Sequence, residues 1–371
     1  MRGQWIGKAE GSNEGQIVVN VDELSSYFQG VAYLNEANTL LPSVAAFFRT
    51  KDKAKTFSFR ATIWPVNPQT GLSDQWENIK HLFGANVFMS KFADVVGSFD
   101  DDVLKLSWTT EAGNKGSCVL PKSKADQPSE LVPESISGWK EYKDYVSQLE
   151  GRRFLFRGQK KPWRLRTAYH RTGRADLTRF LAEDIQVLHR QLSAKTKHLF
   201  NLDNPKENGA FFSLVQHHGY PTPLLDWTYS PYVAAFFAFR GISNSDTAKA
   251  DEASKVRIVV FDYEQWKTDW KQLQMLTPTS LHLSLGEFLA IENDRMIPQQ
   301  AASTVTNIGD IEAYVKMKDS GGKKYLRAID LPVRERSQVL RELNYMGITA
   351  GSLFPGLDGA CEELKERLFE I

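Results

Sequence analysis

The first 125 residues alternate between apolar and polar side chains in short runs separated by turn-forming residues. Residues 56–64 and residues 104–110 show this period of two most clearly. A strand with one buried face gives this alternation. The glycine-containing turn at residues 113–116 joins the second run to residues 117–120, which predicts a β-hairpin. Closely spaced strands of this kind predict a small β-sandwich or β-barrel over residues 1–125.

The pattern changes after residues 126–134, a mostly polar segment with two prolines that predicts a linker. Beyond it, apolar runs typical of strands at residues 154–156 and 256–261 alternate with stretches of helical spacing. One such stretch, residues 177–199, predicts a long amphipathic helix. A chain of 371 residues is long enough for two domains. We therefore expect an α+β domain with a mixed sheet and helices over residues 135–371, preceded by a small mostly-β domain.

Two polar segments at the ends of apolar runs form a candidate site. In residues 156–159 (Phe-Arg-Gly-Gln), an arginine follows an apolar strand and precedes a glycine. In residues 216–228, a dense polar and aromatic loop leads into an apolar stretch at 230–239 that predicts a buried helix. Arginine offers a fixed fork of donors, and glycine lets the backbone approach a ligand closely. Polar groups between apolar elements need partners or a ligand.

Three segments of the chain together resemble the FRG domain, a family named for its (Phe/Tyr)-Arg-Gly motif. The first is residues 156–159 followed by Trp163-Arg164-Leu165, and the second is residues 216–238. The third, residues 293–301, departs from the family pattern, because residues 301–305 stand where a glycine and an aromatic residue are expected. The resemblance covers residues 135–355 and implies a mixed sheet with helices.

The Arg-Gly segment also resembles the first motif of ADP-ribosyltransferases of the Arg-Ser-Glu type. In those enzymes an arginine on the first core strand grips NAD, and a second strand carries a Ser-Thr-Ser-like element, whose place residues 226–238 take here. The resemblance implies an enzyme that uses NAD as a substrate to modify a macromolecule, as a toxin or a phage-defence effector. Cleavage of the nicotinamide bond passes through an oxocarbenium-like state, as in glycoside hydrolysis.

The roles implied by this resemblance fall on individual residues. The catalytic set is Arg157, Thr228, Ser230 and Gln299. The set that binds NAD is Arg157, Gly158, Gln159, His218, Asp226, Trp227, Tyr229 and Arg295. Trp227 or Tyr229 stacks on nicotinamide, and Thr228 and Ser230 support the ribose. The acid stays open between Glu287 and Glu292, with Gln299 as an uncharged alternative.

The same residues allow other interpretations. Arg157 and Asp226 are also suited to a structural salt bridge that ties two core elements together. His218 suits a hydrogen-bonded loop position, a substrate contact, or an acid–base pair with Asp226 in a hydrolase. Adjacent histidines such as His217 and His218 point to different faces, so no metal site is predicted.

Charge is distributed unevenly along the chain. Residues 151–200 hold 13 lysines and arginines against 3 acidic residues, whereas residues 1–150 hold 15 against 19, and the whole chain has a net charge of +1. A local positive field favours a phosphate-bearing partner. The alternative function is therefore a non-catalytic nucleic-acid-binding or regulatory FRG module, unless the basic charges pair with acidic residues elsewhere. Expected partners are a nucleic acid or protein target and an antitoxin or regulatory protein.

Two further observations narrow the class of protein. The two cysteines provide neither a disulfide framework nor a cysteine-based zinc site. The longest apolar run, residues 233–239, is far below the ~20 residues that a membrane span needs. The first residues also lack an apolar stretch of signal-peptide length. We therefore expect a cytoplasmic protein with no membrane partner.

Overall fold

The computed structural model describes residues 1–273, 276–319 and 321–369; residues 370 and 371, predicted as the end of the second domain, lie outside the described residues. The first third of the chain is a closed barrel of eight antiparallel strands, in which each strand pairs with the next and β8 pairs with β1. The strands are β1 (Gly3–Gly11), β2 (Gly15–Glu23), β3 (Phe28–Glu36), β4 (Val44–Arg49), β5 (Thr56–Pro65), β6 (Phe92–Phe99), β7 (Val103–Thr110) and β8 (Lys115–Pro121). This confirms a mostly-β N-terminal part, and closure removes the sheet edges.

The apolar residues of the alternating pattern point into the barrel, and the polar residues between them point outward. In β5, Phe57 and Ala61 are buried inside, whereas the residues between them face outward or are half-buried. The predicted hairpin is formed by β7 and β8, which pair at Leu106 and Cys118. The connection from β5 to β6 carries the short helix α1 (Trp76–Ile79) and a 3₁₀ turn (Lys80–Leu82).

The second part of the chain contains a six-stranded sheet in the order β12-β13-β10-β9-β11-β14. Its strands are β9 (Phe154–Gln159), β10 (Leu224–Thr228), β11 (Lys255–Asp262), β12 (Leu283–Gly286), β13 (Ala301–Thr306) and β14 (Leu326–Pro332). Strand β9 pairs with β11 along its whole length, but it meets β10 at the single pair Phe156–Thr228. The sheet therefore divides between β9 and β10 beyond that pair.

Helices cover both faces of this sheet. They are α2 (Trp139–Ser147), α3 (Ala168–Arg171), α4 (Leu177–Arg179), α5 (Ile185–Leu192), α6 (Pro205–His217), α7 (Pro231–Phe239), α8 (Asn244–Ala248), α9 (Tyr263–Asp269), α10 (Ile311–Lys318), α11 (Arg336–Tyr345), α12 (Ala350–Leu353) and α13 (Leu357–Phe369). A 3₁₀ turn (Val333–Glu335) precedes α11. Within the described ranges, no helix has the length and apolar character required to cross a membrane.

The long helix predicted over residues 177–199 is shorter and irregular. A π-helical turn (Phe180–Asp184) separates α4 from α5, and α5 ends at Leu192. The hydroxyl groups of Ser193 and Thr196 then donate to carbonyls three or four residues earlier. Such local hydrogen bonds compete with continuation of the helix, which explains why the predicted helix stops early.

The apolar helix α7 packs directly on β9. A β-carbon on Gly158 would collide with the carbonyl of Ala234 and lie 2.6 Å from the amide nitrogen of Ala238. Glycine is therefore required by the approach of this helix to the strand. The helix begins with Ser230, whose Oγ accepts a hydrogen bond of 3.2 Å from the Val233 amide. This arrangement gives a fixed strand–loop–helix frame around the candidate site.

The barrel docks on the second part through buried polar groups. The Asp22 carboxylate, 2% exposed, pairs with Arg174 at 2.9 Å and accepts a hydrogen bond of 2.8 Å from the Ala175 amide. Gln4 in β1 donates to the Asn307 carbonyl at 2.7 Å. A buried carboxylate needs such partners, so this interface fixes the barrel in one position.

Candidate functional site

A cavity of about 340 Å³ lies where the sheet divides between β9 and β10. Its wall combines hydrogen-bonding side chains with apolar surface. The polar side chains come from β9, β10 and α6, from the segment before β13 and from β13 itself: Arg157, Ser213, Gln216, His217, Asp226, Thr228, Asn293, Arg295, Gln299 and Ser303. Segments far apart in the sequence therefore meet at one site, which is typical of a binding pocket.

Arg157 lies across the gap between the two strands. Its Nη1 donates to the backbone carbonyl of Asp226 at 2.6 Å, and its buried Nε has no hydrogen-bond partner among the described residues. Burial lowers the pKa of Arg157, and the nearby Asp226 opposes that effect. The guanidinium nevertheless stays charged at neutral pH, because its ordinary pKa is so high. An unsatisfied buried donor on a cation favours an anionic acceptor in the cavity.

Asp226 supplies the carboxylate of the site. Its side chain is open to solvent through the cavity but enclosed by protein elsewhere, and this burial raises its pKa, against the opposing effects of Arg157 and Arg171. Gln216 donates to Oδ1 of Asp226 and accepts a hydrogen bond from the Thr222 hydroxyl. The cluster therefore fixes a carboxylate whose pKa is displaced toward neutral pH, as general acid–base chemistry requires.

The alternative salt bridge between Arg157 and Asp226 does not form. No ion pair between described residues joins the guanidinium to the Asp226 carboxylate; the guanidinium binds the Asp226 backbone carbonyl instead. The carboxylate is held by Gln216. Both charged groups consequently keep hydrogen-bonding capacity toward the cavity.

The segment before β13 closes the site from the opposite side. The Arg295 guanidinium lies 5.0 Å from the centre of the Phe354 ring, a cation–π arrangement that orients it. The side chain of Gln299 donates through Nε2 to the Leu353 carbonyl at 2.9 Å. The backbone carbonyl of Gln299 accepts a hydrogen bond of 2.7 Å from the Thr228 hydroxyl. The third sequence segment therefore reaches the cavity that Arg157 lines, although its glycine and aromatic residue are replaced.

Residues 152–247 match the family model of the FRG domain. The matched segment contains Arg157, α6, Asp226 and α7, and thus most of the cavity wall. Searches of curated proteins and of solved structures found no match to the chain. The resemblance to the FRG domain is therefore confirmed for this segment, which we call the FRG segment, while the barrel and residues 248–369 lie outside it.

Trp227 borders the cavity, but the rings of Trp227 and Tyr229, which were predicted to stack on a ligand, pack in the core. The ring of Trp227 packs 5.4 Å from Phe261, and its indole N–H donates to the Thr304 hydroxyl at 3.0 Å. The Tyr229 ring packs 5.7 Å from that of Tyr263. Both rings belong to the core on the other face of the sheet, so the stacking roles do not fit these positions. Phe156, Phe237 and Phe354 also border the cavity.

Several predicted site residues of the FRG segment build the frame of the cavity through contacts within the protein. Ser230 caps α7, and its amide donates to the Thr228 hydroxyl at 3.0 Å. Gly158 borders the cavity, but its close contact is with α7 rather than with a ligand. Gln159 is 9% exposed and lies outside the cavity wall. The predicted ribose support by Ser230 and ligand contact by Gln159 therefore lack the geometry they need.

The histidines divide between the cavity and the surface. His217 lines the cavity, whereas His218 ends α6 and is exposed outside it. Burial lowers the pKa of His217, and the nearby positive charge of Arg295 lowers it further. The ring is therefore neutral at pH 7. The histidine that borders the cavity is therefore His217, and the ligand contact of His218 stays a prediction. No set of three histidine, cysteine or acidic residues within the described part of the chain is placed to hold a metal ion.

Neither candidate glutamate reaches the site. Glu292 accepts a hydrogen bond of 2.7 Å from the His198 amide, and Glu287 is exposed. Among the described residues that line the cavity, Asp226 is the one carboxylate. The carboxylate that borders the cavity thus belongs to a residue that the resemblance assigned to NAD binding.

Three residues of α6 line the cavity although the sequence patterns assigned them no site role. Ser213, Gln216 and His217 all line the cavity, and their spacing of three and four residues places them on one helical face. That spacing alone indicates, from the sequence, that the three side chains share one face of the helix. Phe354 follows α12, over a hundred residues beyond β10, and nothing in the local sequence links it to the site.

Five of the thirteen basic side chains in residues 151–200 form ion pairs with acidic residues, whereas the other eight form none among the described residues. Arg164, 6% exposed, binds Asp310 at 2.7 Å. The other pairs are Arg153–Asp262, Arg166–Asp126, Arg174–Asp22 and Arg179–Glu183. Paired charges produce a weaker external field than isolated ones. The pairing therefore weakens the positive field of this block without removing it, and binding of a phosphate-bearing partner stays a prediction.

Proposed function

We propose that the cavity binds NAD and that the protein is an ADP-ribosyltransferase-like enzyme that modifies a nucleic acid or a protein, as a toxin or defence effector does. One observation carries the proposal. A half-buried guanidinium whose buried Nε has no partner among the described residues and a carboxylate with a raised pKa face the same cavity of about 340 Å³. A diphosphate and a ribose require this pair of groups.

The donor set fits the charge of the substrate. The unpartnered Nε of Arg157 and the guanidinium of Arg295 are suited to the phosphate oxygens of a dinucleotide, because charge-assisted hydrogen bonds are the strongest available. Phe237 and Phe354 provide the apolar aromatic wall that a nicotinamide ring requires. The volume lies within the range of about 300–1,000 Å³ that is usual for small-molecule sites.

The reaction places a defined demand on the carboxylate. The bond between the nicotinamide nitrogen and ribose C1′ breaks, and its electron pair leaves with nicotinamide. A nucleophile on the target forms the new bond to C1′ and releases a proton. Positive charge builds up on the ribose during this exchange. We assign Asp226 to stabilise that charge and to accept the proton, because burial raises its pKa and Gln216 holds it in place.

The experiment follows both products of this reaction. The protein is incubated with NAD labelled in the adenylate phosphate, together with RNA, DNA or a cell lysate, and label transfer and nicotinamide release are measured. We expect the wild type to release nicotinamide and to label one class of macromolecule. Asp226→Asn should lose about 10²–10⁴ in rate, which is the usual contribution of a general base.

A variant at an exposed position shows whether a change of surface charge alone alters the rate. Arg190 is exposed in α5 and lies outside the cavity, so Arg190→Met should keep wild-type rates. Nicotinamide release that is equal in the wild type and in Asp226→Asn would contradict the proposal. So would the absence of any NAD loss with every class of macromolecule. Binding of nucleic acid without NAD consumption would instead support the non-catalytic alternative.

A further inference from the structure

The barrel encloses a second cavity that the proposed function does not use. It has a volume of about 460 Å³ and is lined mainly by inward-facing side chains of the strands and by loops at one end of the barrel. An eight-stranded barrel has an interior just wide enough to be filled by side chains or to hold one small ligand. The side chains on the inner face decide between these two cases.

Small inward-facing residues create this space. Ala32, Ala46, Ala61 and Ala93 lie on the inner face of four consecutive strands and line the cavity. Ala32 is paired with Ala46 between β3 and β4, and Ala61 is paired with Ala93 between β5 and β6. Four alanines in place of larger residues leave the centre of the barrel unfilled. Unfilled apolar space is costly in a packed core, so a ligand that occupies it would stabilise the fold.

The walls of the cavity are apolar and partly aromatic. The rings of Phe48 and Phe59 stack with centroids 4.7 Å apart, and those of Phe57 and Phe59 stack at 5.7 Å. All three line the cavity together with Trp108. Phe59 and Trp108 are only half-buried, although they point into the barrel, because they face the open space. An apolar cavity of this kind binds apolar molecules in preference to water.

Two polar atoms interrupt the apolar wall. Oε2 of Glu36 and Oγ1 of Thr110 are buried, and neither has a hydrogen-bond partner in the part of the chain that the structure describes. Both residues line the cavity. Oε1 of Glu36 accepts a hydrogen bond of 2.8 Å from Asn13, which fixes the carboxyl group. Since buried polar atoms are normally paired, these two atoms favour a ligand with a hydrogen-bonding head group.

The loops at one end provide a route of entry. The cavity reaches residues 86–90 between α1 and β6 and residues 41–42 between β3 and β4. Phe88 on the first loop is 71% exposed and borders the cavity. An exposed aromatic residue at the edge of an apolar cavity offers a first contact for an apolar molecule.

We propose that the barrel is a binding site for a small amphiphile, whose alkyl or aryl body fills the lumen and whose hydrogen-bond-donating head group, such as a primary amine, meets Glu36 and Thr110. The site is separate from the cavity of the FRG segment, and its occupancy does not depend on NAD chemistry. Burial raises the pKa of Glu36, and a cationic head group favours its ionised form.

The test uses the full chain and N-phenyl-1-naphthylamine, a neutral dye whose fluorescence increases in apolar surroundings. We expect saturable enhancement with one dye molecule per chain. Dodecylamine should displace the dye at a concentration about 10-fold lower than dodecanoate, because a carboxylate head group would be repelled by Glu36; tenfold corresponds to about 1.4 kcal/mol. Glu36→Gln should remove this preference and leave dye binding itself in place.

Cavity-filling variants distinguish the lumen from the outer surface. Ala46→Trp places a large ring in the cavity and should abolish enhancement, whereas Val96→Trp, at an outward position that is 57% exposed, should bind the dye normally. If Ala46→Trp does not fold by circular dichroism, Ala32→Leu serves as the smaller filling variant. Absence of saturable enhancement in the wild type, or wild-type binding by a folded cavity-filling variant, would overturn the proposal. Equal displacement by the amine and the carboxylate would overturn the head-group assignment.

Discussion

Replacing Arg157 with methionine separates a ligand-binding role from a structural one. Methionine keeps the aliphatic part of the side chain but removes the guanidinium. Within the described residues, the stability that is lost rests on one charged hydrogen bond, the 2.6 Å contact with the Asp226 carbonyl. Such a bond contributes about 1.5–3 kcal/mol. Removal of a cation that burial disfavours, as its lowered pKa indicates, offsets part of this loss.

We therefore expect Arg157→Met to lower the free energy of unfolding by less than about 3 kcal/mol. Urea denaturation monitored by circular dichroism measures this change. An unchanged slope of the unfolding free energy against urea concentration shows that the native state keeps its compactness. Nicotinamide release measured on the same preparation should fall by about 100-fold or more, as expected when a preorganised charged donor is lost.

Two results would refute this reasoning. A loss above about 3 kcal/mol, within or beyond the range of about 3–5 kcal/mol for removing one partner of a buried ion pair, would mean that Arg157 is mainly a structural residue. A folded variant with wild-type turnover would mean that the guanidinium has no role in the reaction. Arg190→Met, which changes an exposed arginine outside the cavity, should leave both measurements unchanged.

Three further perturbations have defined outcomes. Gly158→Ala inserts a methyl group against the carbonyl of Ala234, so urea denaturation should show a loss of about 1–3 kcal/mol or more; an unchanged midpoint would contradict the packing of α7 on β9. Burial lowers the pKa of His170 from 6.5 to about 3, so the unfolded chain binds the proton first as pH falls. This histidine alone should therefore lower the free energy of unfolding by roughly 5 kcal/mol between pH 6.5 and pH 3. His170→Gln should flatten the dependence of Tm on pH over that window, and an equally steep dependence would exclude this cause. Burial raises the pKa of Asp226, which makes its ionised form unfavourable in the native state. Asp226→Asn should therefore raise Tm at pH 7, with the gain disappearing below the ordinary pKa of aspartate; an unchanged Tm at pH 7 would show that its hydrogen bond to Gln216 offsets the burial.

Local periodicity predicted the strands of the barrel but not its closure. The alternation along residues 56–64 and 104–110 reflects a buried face, and both became strands. Closure depends on the pairing of β1 with β8, whose partners, such as Ala9 and Cys118, are far apart in the sequence. The same limit applies to the six-stranded sheet, because its strand order follows from contacts that no local pattern records.

The candidate site was predicted where a motif brings charge to a strand end. Arg157 and Asp226 stand at such positions, and both reach the cavity. The stacking role of Trp227 conflicts with the period of two in β10, since alternation turns its ring to the face opposite that of Asp226 and Thr228. The aromatic wall includes Phe354, which is brought to the cavity by tertiary packing alone.

Calorimetric titration of NAD into the inactive Asp226→Asn variant tests the central claim most directly, because binding is then observed without turnover. The account predicts saturable binding of one NAD per chain, abolished when Arg157→Met is added and preserved when Arg190→Met is added instead. No binding heat at any NAD concentration, or equal affinity with and without the Arg157 guanidinium, would contradict the claim that this cavity is a dinucleotide site.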